Sequence, residues 1–407
     1  MAPRKNRVSD LGLFGGEPSF AEPLHVGRPN IGDRDRLRGL IESAFDRRWL
    51  TNDGPYVPQF ERLIADRLGV EHVVATCNGT AALQIAARAS GVSGEVIVPS
   101  LTFVATAHAL SWLGLTPVFC DIEPGSYTLD PGAVEQLITP QTSAVLGVHL
   151  WGTPCDIPAL EEITRRYGLT LLFDGAQAFG GSSDGRSLAS FGAAEILSFH
   201  ATKIVNAIEG GALVTNDGDL AERARLMRTY GFAAADEVVS LGTNAKLNEI
   251  CAATGITSLE SFHSFVETNR RNHDAYARAL AEIPGVALRK PEPGWSPTFH
   301  NVVIEVDAAS SGITRDLLQT VLRAENVLAR RYFYPGCHRM EPYASLVPEV
   351  AERLPVTEHA VTRTLSLPTG QEMKHEAIER LCDIVRLVVE NASEIGTRRG
   401  GRTALPG

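Results

Sequence analysis

Apolar and polar positions along the chain alternate between two rhythms. Leu37, Leu40, Ile41, Ala44 and Phe45 recur at helical spacing, as do Phe60, Leu63, Ile64 and Leu68 ahead of Gly69. Short runs rich in Val, Ile and Leu then punctuate the sequence. They are Val73 to Thr76, Val96 to Val98, Pro117 to Phe119, Ser143 to Leu150, Leu169 to Phe173, Glu195 to Phe199 and Ala212 to Thr215. Helical stretches separate several of them, one opening at Asn78-Gly79-Thr80 and running to Ala89, one over Phe103 to Leu113. A third, Pro158 to Tyr167, is closed by Gly168; proline suits the first turn, where its missing N–H has no helical partner. Strands of this length separated by helices predict an α/β domain built on a mainly parallel sheet.

Beyond a polar helix over Asn269 to Leu280 the rhythm changes. "HNVVIEV" reads as a strand, "TRDLLQTVLRAENV" as a helix, and a last helix covers His375 to Asn391, a smaller α+β unit. The expected division is residues 1–265 as a large α/β domain, 266–395 as a small C-terminal domain and 396–407 as a disordered tail. Val96 to Cys120 lacks Asp, Glu, Lys and Arg and is long enough to span a bilayer. Pro99, Pro117, His108 and several hydroxyls break it into a buried strand–helix–strand unit instead.

The net charge of -10 over 407 residues argues against a nucleic-acid binder held by a general basic field. Six cysteines, at 77, 120, 155, 251, 337 and 382, form no CxxC pair and no zinc spacing with His. They read as reduced thiols, and no metal site is expected. The basic N-terminus is followed by no apolar segment, so a signal peptide is not expected and the reading is cytoplasmic, with no membrane partner.

Ligands in open α/β sheets bind outside the carboxyl ends of the strands, and three such ends carry unusual residues. Thr76-Cys77-Asn78-Gly79-Thr80 is a strand-to-helix turn whose N–H groups and hydroxyl suit a phosphate, although Asn-Gly-Thr is also an ordinary N-cap. Asp174 ends an apolar run, either as a carboxylate at the functional edge or as a simple cap. Lys203 follows the strand ending near Phe199 and has no acidic neighbour until Glu209. A lone lysine after a strand is most often a surface residue. The conjunction of a phosphate cradle, a strand-end carboxylate and a shielded lysine, however, supplies what pyridoxal phosphate needs.

The chain resembles sugar-nucleotide aminotransferases of the DegT family, in the aspartate-aminotransferase fold (fold type I of pyridoxal-phosphate enzymes). The resemblance runs from about Leu13 to Asn391. It is carried by "GPYVPQFE", "CNGTAAL", "PSLTFVATAHAL", "GLTPVFCDI", "VHLWGTP", "FDGAQAFG", "SFHATK" with "EGGALVTN", "GTNAKLNE" and "YPGCH". It implies that Lys203 forms the Schiff base with the cofactor and shuttles protons, and that Asp174 partners the pyridine nitrogen. Gln177 would approach the phenolic oxygen, Gly79, Thr80 and Ser198 would bind the phosphate, and Phe103 would stack on the ring. Asn244 would reach the phosphate in a neighbouring subunit, which implies a homodimer with shared sites. Lys246 stands where relatives commonly carry Arg, and its contact loses the bidentate fork. Gly175 stands where they commonly carry Ala, and that exchange is expected to be neutral.

"FHATKIVNAIEGGA", "GTNAKLNEICAATGITSLE" and "YFYPGCHRMEPY" further resemble 4-aminotransferases acting on dTDP-4-keto-6-deoxyglucose in antibiotic amino-sugar pathways. The implied reaction takes the amino group from L-glutamate through pyridoxamine phosphate to the C4 ketone. Lys246, Arg331, Tyr332 and His338 are candidates for contact with the sugar nucleotide, against a surface ion pair for Arg331 and a satisfied core histidine for His338. His200 is left without an assigned role, and Trp49 and Trp151 read as packing residues or as walls of the sugar pocket. The rivals are a 3-keto or a GDP- or UDP-linked sugar substrate and, from another class, a non-catalytic cofactor-binding regulator.

Overall fold

The computed structural model of the chain describes residues 4–52 and 54–400. Two helices, α1 (Arg34–Arg47) and α2 (Tyr56–Leu68), precede the first strand of the main sheet, β1 (His72–Thr76). Then come α3 (Gly79–Ala89), β2 (Glu95–Pro99), α4 (Ala105–Trp112), β3 (Thr116–Cys120), α5 (Pro131–Leu137) and β4 (Thr142–Val148). The unit continues through α6 (Ile157–Tyr167), β5 (Thr170–Asp174), β6 (Ala194–Ser198), β7 (Gly211–Thr215), α7 (Gly218–Arg228) and α8 (Glu249–Glu260). The seven strands lie in the order β1-β7-β6-β5-β4-β2-β3. Only β7 is antiparallel to its neighbours, β1 and β6; the remaining pairings are parallel.

Alternate residues of each strand enter different hydrophobic clusters, which is why the strands read as unbroken apolar runs. Val74, Val96, Val98, Leu146, Leu172, Ile196 and Leu213 pack under α3, α4 and α7. On the opposite face Val73, Ala75, Leu197 and Val214 pack under α2 and α8, and Ile97, Val145, Leu171 and Phe173 under α6. The helix ends obey local chemistry. The Asp156 side chain accepts from Ala159 N–H to open α6, and Gly168, at φ +66, closes it.

The long helix α9 (Phe262–Leu280) leads into a second unit. It contains the antiparallel sheet β8 (Val286–Leu288), β9 (Val302–Val306) and β10 (Thr364–Leu367), with α10 (Arg315–Ala324) and α11 (His375–Glu390) packed on it. The expected boundary near 265 therefore falls inside a continuous helix. The N-terminal segment, expected in the large domain, also belongs elsewhere. Val8, Leu11 and Phe20 pack in the C-terminal core, and Leu24–His25 pairs with Val327–Leu328. Expected disorder from residue 396 is likewise corrected, because helix α12 (Ala392–Gly400) follows α11 and buries Ile395; residues 401–407 lie outside the described residues.

Glu325 ties the N-terminal segment down. Its fully buried carboxylate accepts hydrogen bonds from the backbone N–H of Gly12 (2.7 Å) and Ser19 (2.8 Å) and pairs with Lys5 Nζ at 2.8 Å. Removing one partner of a buried pair leaves the other charge and the N–H groups unmet. Glu325→Ala is expected to destabilise the protein by about 3–5 kcal/mol in urea denaturation, with Lys5 and the Gly12 loop becoming open to proteolysis.

Candidate active site

The reversed strand β7 brings together residues far apart in sequence. Gly211 at its start is paired with Thr76 at the end of β1 and with Ser198 at the end of β6. A Cβ on Gly211 would lie 2.4 Å from Asn78 C and 2.5 Å from Gly79 N, so only glycine lets β7 meet the turn entering α3. In that turn the Asn78 side chain accepts from Ala81 N–H at 2.8 Å. Gly79 faces Ser198, with a Cβ there only 3.2 Å from the serine Cβ. The free N–H groups at the start of α3, the Thr80 hydroxyl and Ser198 thus line one corner of an open cleft of about 450 Å³.

Asp174, the last residue of β5, forms the floor of the cleft. Its Oδ2 accepts from Thr106 Oγ1 (2.8 Å) and its Oδ1 from Ala176 N–H (3.0 Å), and Thr106 Oγ1 lies 3.0 Å from Thr102 Oγ1. Burial raises the Asp174 pKa, while those two hydrogen bonds and the charge of Lys203 pull it back down. Lys203, just past β6, lines the same cleft, and among the described residues its Nζ makes no hydrogen bond or ion pair. Burial lowers the lysine's pKa, partly opposed by Asp174. Desolvation is the force that makes an amine available as a neutral nucleophile.

Other expected cofactor contacts are also present. Phe103, 59% exposed, stands over the cleft beside Phe333, with ring centroids 5.9 Å apart. Gln177 lines the cleft; its Oε1 accepts from Trp151 N–H at 2.9 Å, which leaves its amide nitrogen as a donor. Asn244 does not line the cleft; its Oδ1 accepts from Lys246 Nζ at 2.7 Å, and both lie near Tyr230 on an outer edge.

Of the four candidates for the sugar nucleotide, Tyr332 lines the cleft and Arg331 does not. Arg331 turns to Asp316 (3.2 Å) and stacks over Tyr334, whereas the preceding Arg330 lines the cleft. Adjacent residues of an extended segment point to opposite sides, so one step in register exchanged the two arginines. His338 is a core residue, its Nδ1 2.6 Å from Ser100 Oγ and its Nε2 2.7 Å from Glu358 Oε1. His200 lies beyond the strand end, on the cleft wall, with Nδ1 2.8 Å from Thr202 Oγ1. Trp151 is buried against Tyr127, and Trp49 is half exposed away from the cleft lining.

His300 is a cleft residue the sequence pattern concealed, because it opens a segment legible only as a strand. Its Nε2 donates to Thr202 O at 2.9 Å, and burial beside Lys203 pushes its pKa down to about 4. The imidazole is therefore neutral at pH 7 and braces the backbone next to the lysine. Gly175 also departs from expectation. A Cβ there would stand 1.8 Å from Glu195 Oε1, so alanine is not neutral at this position.

A phosphate corner that a Cβ would fill, a buried carboxylate on the strand end and a desolvated lysine across from it fit pyridoxal phosphate. They lie on the sheet of a fold type I pyridoxal-phosphate enzyme. The chain belongs to the DegT/DnrJ/EryC1/StrS aminotransferase family, whose profile it matches over residues 33–386. It is 35% identical over 366 residues to a dTDP-4-amino-4,6-dideoxy-D-glucose transaminase of Shigella dysenteriae, covering 90% of this chain and 99% of that protein. A GDP-perosamine synthase of Caulobacter vibrioides is 33% identical, covering 88% and 96%. Among solved structures, DesI in the presence of its TDP-sugar product superposes with a TM-score of 0.91 at 48% identity, covering 97% of this chain and all of that one.

Gly211→Ala is expected to destabilise the protein by about 1–3 kcal/mol through backbone crowding. A lowered melting temperature together with weakened pyridoxal phosphate binding is the expected result. Loss of stability alone would mean that the α3 turn holds no phosphate.

Proposed function

We propose that the protein is a cytoplasmic, homodimeric aminotransferase that moves the amino group of L-glutamate to the C4 ketone of dTDP-4-keto-6-deoxyglucose. The product is dTDP-4-amino-4,6-dideoxyglucose, destined for an antibiotic-type amino sugar. The observation that carries the reaction class is Lys203 and Asp174 lining one cleft, the lysine making no ion pair among the described residues. The likeness to DesI and to the Shigella transaminase supports the sugar.

Pyridoxal phosphate, alternating with pyridoxamine phosphate, supplies the electron sink when bound. Asp174 would partner the ring nitrogen, its anion stabilised by the hydrogen bonds from Thr106 and Ala176 at the floor of the cleft. Lys203 Nζ, whose pKa desolvation lowers, would be placed to take and return a proton beside the cofactor. Ser198, Gly79 and Thr80 would hold the phosphate, and Phe103 and Gln177 would face the ring and its oxygen. Arg330 and Tyr332 offer a cation and a hydroxyl to the nucleotide. Among the described residues no helix is long and apolar enough to cross a membrane. The exposed Tyr230, Phe232, Val238, Val239 and Leu241, on the edge that carries Asn244 and Lys246, support pairing with a second copy whose cleft those residues would complete.

The Caulobacter relative favours a second reading, a GDP-linked keto sugar as acceptor. Incubation of the cofactor-loaded protein with L-glutamate and each keto sugar, followed by mass and NMR analysis, separates the two. Nitrogen at C4 of the dTDP sugar is expected; nitrogen on the GDP sugar alone would transfer the assignment. Lys203→Ala is expected to fold normally and lose turnover by a factor on the order of 10⁴. Multiple turnovers by that variant at a wild-type rate would remove Lys203 from the reaction.

A further inference from the structure

Behind the Asp174 strand end lies an acid that the proposed reaction does not use. Glu195, the second residue of β6, is 1% exposed and stands in register between Phe173 of β5 and Val214 of β7. An apolar side chain suits such a position, and a carboxyl there carries a desolvation cost. The neighbouring strand is built to receive it. A Cβ on Gly175 would come within 1.8 Å of Glu195 Oε1, 2.5 Å of its Cδ and 2.8 Å of its Cγ. The contact reaches back to Cγ, so it is not confined to the flexible carboxylate tip.

On its other side Glu195 Oε2 lies 3.8 Å from His149 Nε2, and neither atom has a hydrogen-bond partner among the described residues. Cys155 N–H donates to His149 Nδ1 at 3.2 Å, so the neutral imidazole carries its proton on Nε2, toward Glu195. The ring stacks on Phe173 at 4.7 Å. Both residues that Glu195 faces flank Asp174. His149 N–H donates to the Asp174 carbonyl (3.0 Å), and Gly175 N–H donates to Ile196 O (2.9 Å).

We infer that Glu195 is a positioning residue for Asp174: its carboxyl, seated in the space Gly175 leaves and facing the His149 imidazole, holds the Asp174–Gly175 turn in place. The inference rests on the reading of Asp174 as the ring-nitrogen partner. The charged or titratable groups around Glu195 are Asp174 on β5, His149 after β4 and Cys155 beyond it; β7 offers only Val214. Two carboxyl groups this near one another resist double ionisation. Asp174 has two donors and the field of Lys203, whereas Glu195 has only the distant imidazole proton. Glu195 is the member of the pair with less to hold its charge, and burial together with Asp174 raises it to about 8. At pH 7 Glu195 is thus a neutral acid that adds bulk and a dipole to the turn.

The test uses the full chain with its cofactor and four variants, Glu195→Gln, Glu195→Ala, Gly175→Ala and the pair Gly175→Ala/Glu195→Gly. A folded-state pKa raised above the unfolded value of 4.5 removes stability as pH climbs from 4.5 to about 8. Glutamine does not titrate. The melting temperature of Glu195→Gln minus that of wild type is therefore expected to grow across that window and level off above it. A flat difference would mean that Glu195 is ionised in the fold and would overturn the neutral acid. Gly175→Ala alone is expected to melt lower, with the paired variant recovering most of the loss; a silent Gly175→Ala would dismiss the steric couple. Pyridoxal phosphate titrations report on positioning. Glu195→Ala is expected to weaken binding about tenfold, the effect of about 1.4 kcal/mol, while Glu195→Gln stays near wild type. Wild-type affinity in Glu195→Ala would end the positioning role. If wild type itself bound no pyridoxal phosphate, the proposed function would fail, while the melting differences would still report on the Glu195–Gly175 couple.

Discussion

The site depends on a close backbone approach. β7 runs against the direction of the other six strands, and its first residue, Gly211, presses on the turn between β1 and α3 while pairing with Ser198. Without that approach the N–H groups of the α3 start and the Ser198 hydroxyl belong to separate regions of the sheet. With it, one corner of the cleft gathers donors from two strand ends, and the Lys203 loop, lying between β6 and β7, is held over the same edge. The packing of helices on both faces serves this arrangement by burying the inner strands on both sides, which leaves the strand ends as the place where polar chemistry can stand.

The electrostatics follow from the same burial. Lys203 and Asp174 are each taken out of water, and each is moved toward its neutral form by that loss and back toward its charged form by the other. Burial dominates for both, and hydrogen bonds set how far each is opposed: Asp174 accepts two, which pull its raised pKa back, whereas Lys203 makes none among the described residues. His300, kept neutral beside the lysine, adds rigidity and no competing charge.

Much of this was legible in the sequence because burial on both faces writes itself as uninterrupted Val, Ile and Leu. The strands of the main sheet, the α3 turn, Asp174 and Lys203 all carry such local marks. What stayed hidden depends on packing between distant segments. Arg330 and Arg331 differ only in which side of an extended segment they face, and no local pattern separates them. Gly175 looks like a tolerant small residue until Glu195, on another strand, is seen filling its space. His338 and Lys246 were attractive by type, yet a histidine's role depends on which groups meet its two nitrogens. The docking of Leu11 and Val8 in the C-terminal core likewise leaves no trace in an N-terminal segment of ordinary composition.

That docking bears on how the chain is made. Lys5 and Leu11 leave the ribosome long before Glu325 and the β8–β10 sheet exist to receive them. Domains tend to fold as units as they emerge, so the α/β layers can consolidate around the main sheet while the leading segment waits unengaged. Its capture by Glu325 waits for a residue made 313 positions after Gly12, which makes it a late event in biosynthesis.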